Sequence, residues 1–241
     1  IQQQKRKFYI YSFLLAILAL LSKPAAVVLP FLLFLLDFWF QRSFSVKAIL
    51  EKIPFFVLAV IIGVLTVLAQ ADNALANVTE YTLWQKTAFA SYGFLMYFFK
   101  LLCPFNLSAF YPYPISSSGE SLSLTYQLAP LFILLFGVLV VFSYRYTKNI
   151  LWAILFYFFN IVLVLQFINV GSAIIAERYT YVAYISLFLI LALGHHYLQG
   201  ISNKKLGKQL YQFGLIFWAF TILGCAYLTH ERCKVWQNSG T

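Results

Sequence analysis

Residues 53–70 read IPFFVLAVIIGVLTVLAQ, a run with no charged side chain and only Thr66 and Gln70 as polar letters. A helix needs about 20 largely apolar residues to cross the hydrocarbon of a bilayer. The run is continuous rather than alternating. It therefore fits a helix and not a barrel strand, the two forms that satisfy backbone polar groups without water. Runs of the same kind recur on both sides. Upstream stand Phe8 to Leu21 and Ala25 to Phe40, separated by Ser22-Lys23-Pro24. Proline suits the first turn of a helix and breaks its interior, so this break predicts a tight turn between two spans. Both are short, about 14–16 residues or roughly 21–24 Å at the helical rise, and polar flanks complete the crossing by snorkelling. Downstream come Leu128 to Ser143, Ile150 to Val170, Tyr181 to Leu193 and Leu210 to Leu228. Leu83 to Leu102 is also mostly apolar but holds Gln85, Lys86, Ser91 and Lys100, and Pro104 ends it.

Composition agrees with these runs. Charged residues are 10% of the chain and hydrophobic ones 62%, whereas a soluble domain carries about 25% charged residues, which excludes a water-soluble core. The net charge of +10 does not point to nucleic acid, because the basic residues sit in short clusters between apolar runs, the arrangement that sets membrane topology. With the amino end inside, the cytoplasmic segments hold Lys5, Arg6, Lys7, Arg42, Lys47, Lys52, Arg145, Lys148, Lys204, Lys205 and Lys208. The far side then holds Lys23, Lys86, Lys100, Arg178, Arg232 and Lys234, eleven against six. The count closes only if Leu83 to Leu102 lies in the outer interface as an amphipathic helix. The expected fold is therefore all-α: a polytopic transmembrane helical bundle of about seven spans plus one interfacial helix in an outer loop, residues 71–127. A short loop is expected from Gly171 to Thr180 and a basic one at Lys204, Lys205 and Lys208.

The sharpest candidate site is Ala176-Glu177-Arg178-Tyr179-Thr180-Tyr181. A Glu–Arg pair at a membrane boundary is costly unless paired or wet, and the planar guanidinium suits phosphate oxygens. An interfacial arginine within a tyrosine belt is the competing reading. Lys23 places a cation at the outer end of a helix pair, where it could bind a lipid phosphate or snorkel to headgroups. The loop Pro104 to Pro114, with Phe105, Phe110, Tyr111 and Tyr113, offers aromatic faces to sugar rings or acyl chains, stiffened by prolines. Asn77-Val78-Thr79 and Asn106-Leu107-Ser108 match the glycosylation sequon, which matters only in a eukaryotic secretory setting. Asp37 fits a helix end or helix packing. His195-His196 point in different directions on a helix, so a shared metal is not expected. Cys103, Cys225 and Cys233 form no ligand-spaced cluster; Cys103 and Cys233 fall on the same side of the membrane, which leaves a bridge between them open. No Gly-rich phosphate loop or Ser/His/Asp arrangement occurs.

Four blocks stand in order along the chain: Leu20 to Pro30 with Leu36-Asp37; Lys100 to Leu107 through Tyr111-Pro112; Ala176 to Tyr181; and Trp236-Gln237-Asn238-Ser239. Together they resemble the transmembrane-and-tetratricopeptide-repeat (TMTC-like) proteins of the GT-C glycosyltransferase superfamily. The resemblance implies a transferase, typically mannosyl, that uses a polyprenyl-phosphate-linked sugar and has its active face outside the cytoplasm. It also implies that the catalytic acid lies in a first outer loop ahead of the region seen here and that tetratricopeptide repeats follow residue 241. The chain departs from the family in two ways. It has no paired acidic motif in an early outer loop, and Glu177 stands where the family has aspartate.

The expectation is accordingly the carboxyl-terminal part of a GT-C-like membrane module, residues 1–241, inactive alone and without a catalytic residue of its own. The only Met is Met96 and the chain stops at Thr241, which fits a piece of a longer protein. Lipid-phosphate or substrate binding is assigned to Arg178 first, then Lys23 and Lys100, with Glu177, Tyr179, Tyr181, Tyr111 and Tyr113 around them. The lipid-phosphate sugar donor is the only small molecule implied, and a divalent metal is left open. Expected partners are membrane lipids, the polyprenyl-phosphate sugar and a protein or glycan acceptor. The expected setting is a bacterial inner membrane rather than the endoplasmic reticulum, with the carboxyl end on the outer face. Two other classes compete. A transporter or flippase of lipid-linked saccharides needs intramembrane charges along a path, and the spans are nearly free of charge. A membrane anchor for outer repeats needs only the spans.

Overall fold

A computed structural model describes residues 2–70, 81–108, 111–115, 119–165, 167, 173–200 and 205–234. The Asn77 sequon, the Trp236 block and Lys204 lie outside the described residues. The chain divides into two compact units, Ile1–Leu187 and Phe188–Thr241. The described residues are helical apart from loops and one pair of short strands.

In the first unit, α1 (Gln2–Ser22) stops at Lys23, and Pro24 opens a 3-10 turn, Pro24–Val28, that leads into α2 (Leu29–Trp39). α2 closes in a Schellman motif. Gln41 adopts a left-handed φ of 54°, its amide donates to Phe38 O at 3.2 Å and that of Arg42 to Asp37 O at 2.9 Å, which pairs carbonyls the helix leaves open. Ser45 caps α3 (Val46–Leu50), accepting from the Ala48 amide at 3.2 Å, and α4 (Ile53–Gln70) follows. A capping box starts α5 (Leu83–Leu102): the Gln85 amide donates to Thr82 Oγ1 at 3.2 Å and the Thr82 amide to Gln85 Oε1 at 2.9 Å. Two orphan donors are satisfied at once. Next come β1 (Tyr111–Pro112), α6 (Leu124–Ser143) and α7 (Lys148–Ile161), which a 3-10 turn extends to Val164. β2 (Ala173–Ile175) pairs antiparallel with β1, Tyr111 opposite Ile175 and Pro112 opposite Ala173.

α5 is the internal helix. Gln85, Ala88, Phe89, Ala90, Ser91, Gly93, Phe94, Tyr97 and Lys100 are buried, and it packs most extensively on α6. Small side chains let backbones approach, the usual solution in lipid, where helices gain little from leaving an already apolar phase. A Cβ on Gly93 would stand 3.3 Å from Ile175 Cγ2 and 3.6 Å from Leu165 Cδ2. Buried polar tips find carbonyls on neighbouring helices: Tyr157 OH donates to Phe94 O at 2.9 Å, Trp152 Nε1 to Leu35 O at 2.7 Å and Ser186 Oγ to Ala153 O at 2.8 Å. Such interhelical bonds are worth on average about 0.6 kcal/mol each in membranes.

Among the described residues, three helical stretches are long and apolar enough to cross a bilayer: Val46–Ala69, Leu124–Ser143 and Gly207–Lys234, with 17%, 11% and 0% of an apolar 18-residue window in each buried within the protein. Their outward faces carry Val60, Leu68, Leu134, Val138, Phe213 and Phe220, all exposed, which suits contact with lipid. Pro24–Trp39 and Lys148–Val164 are apolar but shorter.

Several sequence boundaries are corrected. The run expected to reach Val170 leaves the α-helix at Ile161. The loop expected from Gly171 to Thr180 holds β2 and a 3-10 turn, Glu177–Tyr179, within its described part. α8 (Tyr184–Gly200) carries His195 and His196 inside the helix, because nothing breaks it before Gly200. In the second unit α9 (Lys205–Lys234) begins where a basic loop was expected, since lysine is a good helix former. The His195 ring stacks on Tyr211 at 4.9 Å and against the bare backbone of Gly214.

Candidate functional site

The Glu177–Tyr179 turn emerges from β2 through Ala176, whose amide donates to Tyr97 OH on α5 at 2.9 Å. Successive side chains then diverge. The Glu177 carboxylate faces the 103–115 loop and accepts from the Ser108 amide at 3.1 Å and from the Tyr111 hydroxyl. Arg178 turns outward and is exposed. Its guanidinium lies over the Tyr179 ring, 4.9 Å from the centroid, and donates to Tyr179 OH at 3.3 Å. Glu177 and Arg178 therefore do not form an ion pair with each other; the carboxylate is held by neutral donors and the guanidinium keeps open donors.

Tyr179 leads to a cavity of about 360 Å³ lined by Ser22, Lys23, Asn160, Tyr179, Tyr181 and Val182 together with alanines of α1 and the 3-10 turn. Ala19, Ala25 and Ala26 leave the room, and the break at Pro24 brings Lys23 to the rim. Lys23 is exposed, and its Nζ stands 5.0 Å from the centre of the Tyr181 ring. The volume lies at the small end of ligand sites, which run from about 300 Å³, and the walls are mainly apolar with a cation at the mouth. A second groove of about 300 Å³ between α5, α6 and α7 is lined by apolar side chains and Ser91, with no ionic group.

Lys100 is placed differently. It is buried in the last turn of α5, where Nζ donates to Phe105 O at 2.7 Å and Asn106 O at 3.0 Å and sits 5.4 Å from the centre of the Tyr111 ring. An ammonium has three protons, so the loop carbonyls and a ring face absorb what it offers. The loop bends there through Asn106, at a left-handed φ of 51°. Tyr113 packs against Tyr81 and Phe89, with centroids 5.0 and 5.2 Å away, and burial, then the neighbouring Tyr81, pushes its hydroxyl above the usual phenol range. The sequence candidates thus form two groups. Lys23, Tyr179, Tyr181 and Arg178 surround or adjoin the cavity, while Lys100, Tyr111 and Tyr113 belong to the loop that Glu177 grips.

A charged cluster on α2–α4 was not anticipated. Lys52 is buried, donates to Asp37 and to Ala48 O at 3.0 Å, and lies 4.8 Å from the centre of the Phe34 ring. Arg42 bridges to Glu51 at 2.6 Å and to Asp37 at 3.6 Å. The hydrogen bond to Glu51 raises the Arg42 pKa further above its ordinary value. The signal was present in Asp37, a carboxylate ending one apolar run, and Lys52, a cation opening the next.

Cys103, Cys225 and Cys233 are free thiols, so the bridge between Cys103 and Cys233 is not formed. Among the described residues no group of three or more His, Cys, Asp or Glu could hold a metal ion. Comparison with protein-family models, with curated proteins and with solved structures finds no match.

Proposed function

We propose that the chain is the carboxyl-terminal part of the membrane module of a GT-C-type glycosyltransferase, and that the Lys23 cavity receives the phosphate end of a polyprenyl-phosphate-linked sugar. The supporting observation is the cavity itself: apolar walls, two tyrosine faces, a lysine at the rim and Arg178 lying on one of its wall residues. An anionic headgroup on a hydrocarbon tail matches that combination. Lysine supplies a point charge and arginine a planar fork for phosphate oxygens.

In the transfer, an acceptor hydroxyl, such as that of a protein Ser or Thr, attacks the anomeric carbon and the bond from that carbon to the phosphate oxygen breaks. Polyprenyl phosphate leaves with an added negative charge, which Lys23 and Arg178 stabilise as it develops. The proton of the acceptor goes to a base expected in the parent protein outside this chain. Mannose is the sugar the resemblance suggests. The proposed topology has seven spans, α5 in the outer interface, the amino end cytoplasmic and the cavity on the outer face of a bacterial inner membrane. Lys86 near the start of α5 and the eleven-to-six distribution of basic residues support it.

Sugar transfer by membranes carrying the full-length protein tests this reading. Lys23→Ala and Arg178→Ala are each expected to cut transfer about tenfold or more, the loss of one charge-assisted contact. Wild-type rates in both variants would remove the cavity from the mechanism.

A further inference from the structure

We propose that Tyr111 and Glu177 form a positioning pair for the Lys23 cavity, setting the turn that carries Arg178 and Tyr179. The proposal rests on the lipid-phosphate reading of that cavity. Glu177 opens the turn, yet its side chain leaves the cavity side and accepts from two donors of the 103–115 loop, the Tyr111 hydroxyl and the Ser108 amide. The hydroxyl has a single proton, and the carboxylate is its strongest acceptor; the Asn106 carbonyl lies 3.1 Å from the same oxygen.

Tyr111 is itself held from two sides. β1–β2 pairing sets it opposite Ile175, two residues before Glu177, and Lys100 stands over its ring. The loop thereby transmits a fixed position to the Glu177 carboxylate. The residues that follow inherit it: Arg178 lies on the Tyr179 ring, and Tyr179 is a wall of the cavity. Without the pair, the turn keeps the Ala176 amide on Tyr97 OH and Thr180 Oγ1 on Glu177 O at 2.8 Å. Those bonds fix the ends of the turn, and the Glu177 side chain is then held by the Ser108 amide without the hydroxyl. Geometry rather than charge does the positioning, because a neutral carbonyl oxygen at the same place can accept the same bonds.

The test uses the full-length protein in nanodiscs with polyprenyl phosphate or neutral polyprenol of equal length as probes, together with hydrogen exchange at the amides of Ala176 to Thr180. Tyr111→Phe keeps the ring under Lys100 and removes only the hydroxyl, which also accepts from the Ser108 amide at 2.8 Å. It and Glu177→Ala are expected to speed exchange in the turn and weaken phosphate-lipid binding about tenfold, the value of one charge-assisted bond. The double variant should bind no more weakly than Glu177→Ala alone, since that variant already removes the Tyr111 contact. Glu177→Gln, which keeps an acceptor oxygen, should restore slow exchange and most of the affinity. Unchanged exchange and binding in Tyr111→Phe, or Glu177→Gln behaving like Glu177→Ala, overturns the pair. Equal binding of polyprenol and polyprenyl phosphate by wild-type protein instead overturns the lipid-phosphate reading beneath it, and the pair's role with it.

Discussion

Lys52 and Lys23 stand at comparable places, each at the edge of an apolar helix, and the protein uses them in opposite ways. Lys52 is 5% exposed, with its ammonium on Asp37, the Ala48 carbonyl and the Phe34 ring. Lys23 is exposed at the rim of a cavity, with the Tyr181 ring as its neighbour. The sequence presents the two alike, as a basic residue beside a hydrophobic run. What separates them is whether the protons of the ammonium are already spoken for. A cation whose donors end on the protein's own oxygens is architecture; one that faces a ring and an opening keeps donors for a ligand. Lys100 belongs with Lys52 by this criterion, although the sequence placed it with Lys23.

The largest effect should come from breaking the Lys52 pair. Lys52→Ala leaves Asp37 without its main counter-charge, a loss of about 3–5 kcal/mol for one partner of a buried pair, measurable as a fall in the denaturation midpoint in detergent. Asp37→Asn combined with Lys52→Met should recover most of it, because replacing a whole buried pair by neutral groups is often harmless. If Lys52→Ala unfolds like wild type, the contrast with Lys23 collapses. Next in size is Lys100→Met, which removes the ammonium donor from the Phe105 and Asn106 carbonyls. A loss of about 1.5–3 kcal/mol is expected for bonds to a charged group, seen as faster exchange in residues 103–108. Lys23→Ala, by contrast, should leave the denaturation midpoint unchanged while reducing transfer.

The smallest effect is one of pH. Burial raises the Tyr113 pKa in the folded protein, so its contribution is fully present below the ordinary phenol value of about 10 and is lost as pH rises above it. Protection of the amides in residues 111–115, measured against their intrinsic base-catalysed rate, should therefore fall above about pH 10, and Tyr113→Phe should remove that fall. An unchanged pH profile in Tyr113→Phe would assign the alkaline loosening elsewhere.

Local chemistry made much of the fold legible. Pro24 and Pro104 mark breaks that the structure keeps, and the turn expected at Lys23-Pro24 is there. What could not be read are the contacts that close over distance. Tyr111 meets Glu177 across 66 positions and Lys52 meets Asp37 across 15; such pairs leave no periodic trace, and a charge reads the same whether hydrated or paired. The β1–β2 ladder is equally silent, since Tyr111–Pro112 is too short to show alternation. The site was half visible: Glu177, Arg178 and Lys23 were singled out, but the division of labour that sends Glu177 to the loop and Arg178 to the surface depends on Tyr111 arriving from elsewhere.

Gly93 adds a constraint of tolerance. Where α5 meets β2, the space between Gly93 and Ile175 is too tight for a comfortable methyl group. Ile175 immediately precedes Ala176 and the turn that carries Arg178. The missing side chain therefore acts as a depth stop: it sets how deep the strand beds against the helix, and so the height at which the guanidinium stands. An alanine there would make the Ile175 methyl group give by a few tenths of an ångström, next to the turn.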